Sequence, residues 1–156
     1  MDAFVLTEAE RKFLGELETR GVRFMVVGLT AAGLQGANTT TVDIDLWFES
    51  TGDPNIREAA TAAGGLWVSG FGMMPATLGG SLGDRFDVVL LMSGLESFEV
   101  EYARAIIITV EGVRFRALPL DRVLASKRAA NRPKDRAVVP ALEEALAALE
   151  EDSDDE

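Results

Sequence analysis

The chain reads as one mixed α/β domain, with a β-sheet flanked by helices, and three observations predict this. Helical and strand periodicities alternate through the first half. A strand-rich stretch follows, and two helical segments close the chain. At 156 residues, with 47% hydrophobic and 26% charged residues, there is material for one core and not for two ordinary ones. The expected organisation is a domain over residues 1–149 and a disordered acidic tail over 150–156, which holds six acidic residues.

Each element has a local reason. Residues 7–20 begin at Thr7 with Glu10 three positions on, the spacing of a capping box, and Phe13, Leu14 and Leu17 form an apolar stripe that Gly21 ends. Residues 22–27, VRFMVV, predict a buried strand closed by Gly28, followed by a short helix over 30–35. Residues 40–48, TTVDIDLWF, alternate strictly: Val42, Ile44 and Leu46 share one face, Asp43, Asp45 and Trp47 the other. Asp53 caps a helix over 54–63 that stops at Gly64-Gly65, and 66–69 predicts a short strand. The Gly- and Met-rich stretch 70–83 has no period and reads as a loop. Residues 84–92, DRFDVVLLM, predict another strand, and 105–110 with 113–117 a hairpin around Glu111-Gly112. Helices over about 120–131 and 134–149 are separated by Asn131-Arg132-Pro133.

Composition excludes several chemistries. The chain has neither Cys nor His, so thiolate zinc sites, disulfides, cysteine nucleophiles and serine–histidine machinery are all ruled out. Acid–base or metal chemistry must run on Asp, Glu, Lys, Arg, Tyr or hydroxyls. The formal net charge of −11 opposes general nucleic-acid binding, although residues 122–136 hold six basic residues against Asp135 alone. Residues 1–10 show no signal peptide and no apolar run is long enough to span a bilayer, so no membrane partner and a cytoplasmic location are expected.

The candidate chemistry lies in the acids. Asp43 and Asp45, two apart on a strand, emerge on one face, where two charges about 5 Å apart repel by ~3 kcal/mol at an effective dielectric near 20. Such a pair belongs on a wet surface or around a divalent cation, and hard cations such as Mg²⁺ take one or two carboxylates with water and phosphate. Upstream, Gly28 at a strand end permits close approach of a phosphate, and the following helix start offers free N–H groups.

Residues 26–48, VVGLTAAGLQGANTTTVDIDLWF, place thirteen residues between Leu29 and Asp43. The segment resembles the nucleotidyltransferase superfamily: an apolar strand, Gly-[Gly/Ser], a spacer, then Asp-h-[Asp/Glu]-h, where h is apolar. The superfamily's third carboxylate, on a later strand, matches Asp87 in RFDVVLL; an ion pair with Arg85 or another Arg is the plain structural alternative. Residues 118–146 resemble the closing segment of small bacterial nucleotidyltransferase-like proteins, including relatives of AbiEii-type toxins of toxin–antitoxin systems. Their pieces are a helix with Ser-Lys-Arg-Ala-Ala, a break at Arg-Pro, and Lys-Asp opening the last helix.

Lys127 follows Leu120, Val123 and Leu124 at helical offsets, so it leaves from the inward side, either toward phosphate or snorkelling to water. Asp135 either favours the helix start or orders Lys127 or Arg132. The resemblance implies transfer of a nucleoside monophosphate from a nucleoside triphosphate to an RNA, protein or small-molecule acceptor, and for a toxin-type member a cognate antitoxin. It implies Mg²⁺ or Mn²⁺ on Asp43, Asp45 and Asp87, with Lys127 catalytic and phosphate-binding, and Gly28, Leu29, Thr30 and Thr41 around the nucleotide. Leu29 stands where the family has Gly or Ser, and Thr39 where relatives often carry Arg. The alternative is a catalytically degenerate binding or partner protein of the same fold.

Overall fold

The computed structural model describes residues 4–39, 41 and 43–154. A five-stranded mixed sheet has the order β5-β2-β1-β7-β6, from strands β1 (Phe24–Val27), β2 (Ile44–Phe48), β5 (Phe86–Val89), β6 (Ile106–Val110) and β7 (Val113–Ala117). The pairs β1/β7 and β2/β5 run parallel; β1/β2 and β6/β7 run antiparallel. Strands β3 (Gly65–Val68) and β4 (Thr77–Gly80) form a separate antiparallel hairpin beside β5. The helices are α1 (Glu8–Thr19), α2 (Gly28–Leu34), α3 (Pro54–Ala62), α4 (Phe98–Arg104), α5 (Leu120–Ala130) and α6 (Pro133–Asp154). Among the described residues, no helix is long and apolar enough to cross a membrane.

The predicted capping box forms: the Glu10 N–H donates to Thr7 Oγ1 at 3.1 Å, and the Thr7 N–H donates to Glu10 Oε1 at 2.8 Å. Helix α1 then buries Phe13, Leu14 and Leu17, with Phe13 edge-on to Phe86 of β5 at 5.4 Å between ring centroids. Strand alternation puts Ile44, Leu46 and Phe48 of β2 on that same face, with Phe24 of β1 opposite Phe48. Met25, Val27, Asp45, Trp47 and Asp87 therefore belong to the other face. There Trp47 meets Phe98 of α4 edge-on at 5.6 Å. The buried Glu101 of α4 takes Arg122 of α5 in two hydrogen bonds of 2.9 and 2.7 Å, tying the two helices together.

Several boundaries differ from expectation. Residues 77–80, within the expected loop, form β4, because Thr77 and Leu78 gain partners on β3 that no periodic pattern announces. Helix α4 is a seven-residue helix capped by Ser97 that the sequence reading leaves unassigned. Strand β5 stops at Val89, so Leu90 to Met92 leave the sheet. Strand β2 begins at Ile44, later than residue 40; Thr40 and Val42 lie outside the described residues. Helix α6 continues through Asp154, past residue 149, since the Ala-, Leu- and Glu-rich sequence carries no breaker there. The expected disordered tail otherwise falls on Asp155 and Glu156, which lie outside the described residues.

Candidate active site

Sheet register creates the site. Strand β2 lies between β1 and β5, and Asp45 is paired with Val27 on one side and with Asp87 on the other. In a parallel pair, residues in register project to the same face from backbones ~4.8 Å apart. Asp45 and Asp87 are thus side by side, although 42 positions apart in sequence. The alternative partner for Asp87 is accounted for elsewhere: Arg85 donates to the buried Glu10 through Nε at 2.9 Å and through Nη2, and reaches the Val5 carbonyl at 2.8 Å. Burial opposes charge on Glu10, but the Arg85 hydrogen bond prevails and holds its carboxyl below the ordinary range. The Arg85 carbonyl also accepts the Ile44 N–H at 2.7 Å, so this ion pair anchors β5 where it meets β2.

The turn after β1 closes the other side. Gly28 has φ +71°, and a Cβ there would collide with the Asp45 carboxylate. The backbone can reach this conformation only because residue 28 has no side chain. Gly28→Ala is therefore expected to cost about 2 kcal/mol or more, from the left-handed backbone and the displaced carboxylate, measured as a lower urea midpoint with unchanged m.

Burial raises the Asp45 pKa, the neighbouring Asp87 charge raises it further and Asp43 adds to it, while Lys127 and Lys134 pull it down. Four charged neighbours thus act on one carboxylate. Asp43 is exposed at the rim, before β2 begins, and among the described residues no three acidic side chains converge to form a ready metal cluster. The expected trio is in this respect a pair with a third charge nearby, because strand alternation does not govern the irregular residue ahead of β2. The Asp45–Asp87 pair nevertheless fits a hard divalent cation: it is all oxygen, electrostatically strained by its own repulsion, and exposed on its Asp87 side.

The remaining predicted residues take varied positions. Thr30, expected to offer its hydroxyl to phosphate, is 4% exposed and donates that hydroxyl to the Asp43 carbonyl, so it pins α2 to the lead-in of β2. Thr41 Oγ1 accepts the Asp43 N–H at 3.2 Å, which shapes the same segment. Leu29 is half-buried and packs against the core. Lys127 is 18% exposed, with Nζ 3.5 Å from Asp135 Oδ1. Asp135 plays both parts left open by the sequence. It accepts the Arg132 N–H at the start of α6 (3.1 Å) and the Arg132 side chain at 2.6 and 3.2 Å, while also ordering Lys127. Lys134, beside it, is exposed and its charge reaches Asp45. The Lys-Asp pair opening α6 was the available signal for Lys134, but linear sequence does not show that its charge comes to act on Asp45.

This mixed sheet, its helices and its acid-bearing neighbours β2 and β5 make up the nucleotidyltransferase fold. The likeness is to the aminoglycoside nucleotidyltransferase ANT(2")-Ia. Its crystal structure in complex with adenylyl-2"-tobramycin has a TM-score of 0.53 and 14% identity, over 88% of this chain and 86% of that one. Its solution structure, described as that of an antibiotic-resistance factor, has a TM-score of 0.55 and 14% identity, over 90% and 82%. No protein-family model and no curated protein sequence matches the chain.

Proposed function

We propose that this protein is a metal-dependent nucleotidyltransferase that moves a nucleoside monophosphate from a nucleoside triphosphate to an acceptor hydroxyl. The observation that carries the reading is the register pairing of a half-buried Asp45 with an exposed Asp87, beside a turn that only glycine lets lie against the Asp45 carboxylate. Asp45 and Asp87 would hold Mg²⁺ or Mn²⁺, with Asp43 adding charge at the rim. When bound, the cation would offset phosphate charge and orient the triphosphate.

The chain's own groups supply the rest. Gly28 lets the phosphates approach the backbone, and Lys127 and Lys134 contribute positive field on the triphosphate side. The acceptor hydroxyl oxygen attacks the α-phosphorus, its proton passes to the Asp87 carboxylate, and the bond from the α-phosphorus to the β-bridging oxygen breaks. Pyrophosphate leaves. The acceptor class is an RNA, a protein side chain or a hydroxylated small molecule; the aminoglycoside product bound by the structural neighbour makes small polyhydroxylated amines the first class to test.

A second reading, a non-catalytic partner protein of the same fold, is favoured by three particulars: Leu29 occupies the small-residue position, the Thr30 hydroxyl is committed to Asp43, and Lys127 is engaged by Asp135. Calorimetry with Mg²⁺ and each nucleoside triphosphate separates the two. Saturable, metal-dependent binding that Asp45→Asn abolishes supports the transferase. Absence of any such binding, with Asp45→Asn indistinguishable from the parent, would sink it. Labelled triphosphates incubated with total RNA, total protein and aminoglycosides then identify the acceptor, whether it belongs to a toxin–antitoxin setting or not.

A further inference from the structure

The two edges of the five-stranded sheet are treated differently. At one, β5 is accompanied by the β3–β4 hairpin; at the other, β6 has β7 as its only sheet neighbour among the described residues. Strand β6 is Ile106-Ile107-Ile108-Thr109-Val110, five β-branched residues with no charge, proline or buried side chain. Exposed edges ordinarily carry lysine, proline or a bulge that discourages pairing, and β6 carries none.

The hairpin fixes which backbone groups remain free. Glu111 and Gly112 both have positive φ, +50° and +84°, forming a two-residue turn that makes Val110 and Val113 a hydrogen-bonded pair. Ile108 with Phe115 and Ile106 with Ala117 continue that alternation. The Leu118 N–H donates to Val26 of β1, as this phase requires. The N–H and C=O groups of Ile107 and Thr109 consequently point away from β7, along the open edge.

We propose that β6 is a self-pairing edge: two copies of this chain join antiparallel through it, about a two-fold axis at Ile108, into one ten-stranded sheet. In this register Ile107 of each copy faces Thr109 of the other, and the two exchange both backbone hydrogen bonds. Ile108 then faces its own counterpart, and Ile106 faces Val110 across the axis. Both are β-branched contacts of the kind that stabilise neighbouring strands. Opposite charges also meet at the flanks: Arg104 of one copy, 3.7 Å from its own Glu101, approaches the turn of the other, whose Glu111 lies 3.8 Å from Arg11, and both side chains remain partly exposed. Shifting the register by two residues either way leaves at least one free pair unmatched. An uncharged strand also lets the acidic chain meet itself without opposing like charges. The proposal is independent of the nucleotidyltransferase reading, because β6 lies at the sheet edge opposite Asp87.

Sedimentation of the full chain from about 1 to 500 µM, with amide hydrogen exchange at both ends of that range, tests it. The expected mass is that of two chains at high concentration. Ile107 and Thr109 amides should slow at least about tenfold on association, while those of Ile106, Ile108 and Val110 stay protected throughout. Thr109→Pro removes one of the free N–H donors and should yield a monomer that melts like the dilute parent. If that variant misfolds, Ile107→Lys, at a 50% exposed position, serves in its place. A single-chain mass throughout overturns the proposal. So does a dimer that survives these substitutions, or one whose Ile107 and Thr109 amides exchange as fast as in the dilute protein.

Discussion

Asp45→Asn is expected to lower nucleotidyl transfer by about 10³-fold or more while making the metal-free protein more stable, a combination that a purely structural aspartate would not give. The first effect follows from losing one of the two carboxylates that would seat the cation. The second follows from the cost of charge at this position. Burial first, then the Asp87 charge, raises the Asp45 pKa above its usual 3.8, and the two lysines offset only part of this. Between 3.8 and the raised value the folded protein keeps a proton that the unfolded chain releases, so stability falls as pH rises through that window. Above it the full cost is present. Solvent around the half-exposed pair screens the repulsion, so removal of the charge should return about 1 kcal/mol, or roughly 2–4 °C in Tm, at pH 7. At pH 3 the gain should vanish. Mg²⁺ should raise the Tm of the parent and leave that of Asp45→Asn unmoved. Thermal melts at both pH values, with and without Mg²⁺, check each arm; a variant less stable than the parent at pH 7 would show that Asp45 is held by attractive contacts instead.

Asp135→Ala is expected to be the most damaging single truncation outside the apolar core. The carboxylate is 1% exposed and gathers the Arg132 side chain, the Arg132 N–H and Lys127. The Arg132 hydrogen bonds, with Lys127 assisting, lower its pKa from 3.8 to about 2 despite burial. Its contribution is therefore fully present above pH 3.8 and is lost as pH falls through about 2, the opposite slope to that of Asp45. Truncation removes the N-terminal cap of α6 and leaves two cations without their shared partner, at about 2–3 kcal/mol, or roughly 5–10 °C in Tm. Asp135→Asn keeps an acceptor for the Arg132 N–H and should lose about half as much. Lys127, released from its tether, would also be less well placed toward Asp45, so any transferase activity should fall further than stability alone predicts. A melt of Asp135→Ala indistinguishable from the parent would contradict the geometry of this junction.

The predictable elements were those whose reasons are local. The capping box at Thr7 and Glu10, the strand ending at Gly28, and the hairpin around Glu111-Gly112 all depend on residues within a few positions of one another, and all are present. The misses have the opposite character. Strand β4 exists because β3 offers it an edge, and α4 because Trp47 and Arg122 offer it a surface. The partners of α4 are distant in sequence, and although β3 is only eight residues from β4, no alternation in the Gly- and Met-rich segment marks the pairing. Thr30 shows the same limit at the site: its hydroxyl could serve a phosphate or the chain, and only the approach of the Asp43 carbonyl decides between them.

By itself the sequence determined that a mixed sheet would form and that no histidine or cysteine chemistry was available, since composition and periodicity are properties of the linear chain, while its resemblance to the nucleotidyltransferase superfamily singled out Gly28, Asp43, Asp45, Asp87 and Lys127. Tertiary structure decided the rest. Parallel register of β2 on β5 put Asp87 against Asp45, Glu10 drew Arg85 away from that pair, and the α5–α6 junction gave Lys127 to Asp135 while setting Lys134 within reach. Charges act across a few ångströms of space irrespective of sequence distance, so their balance is fixed only once the strands and helices have met.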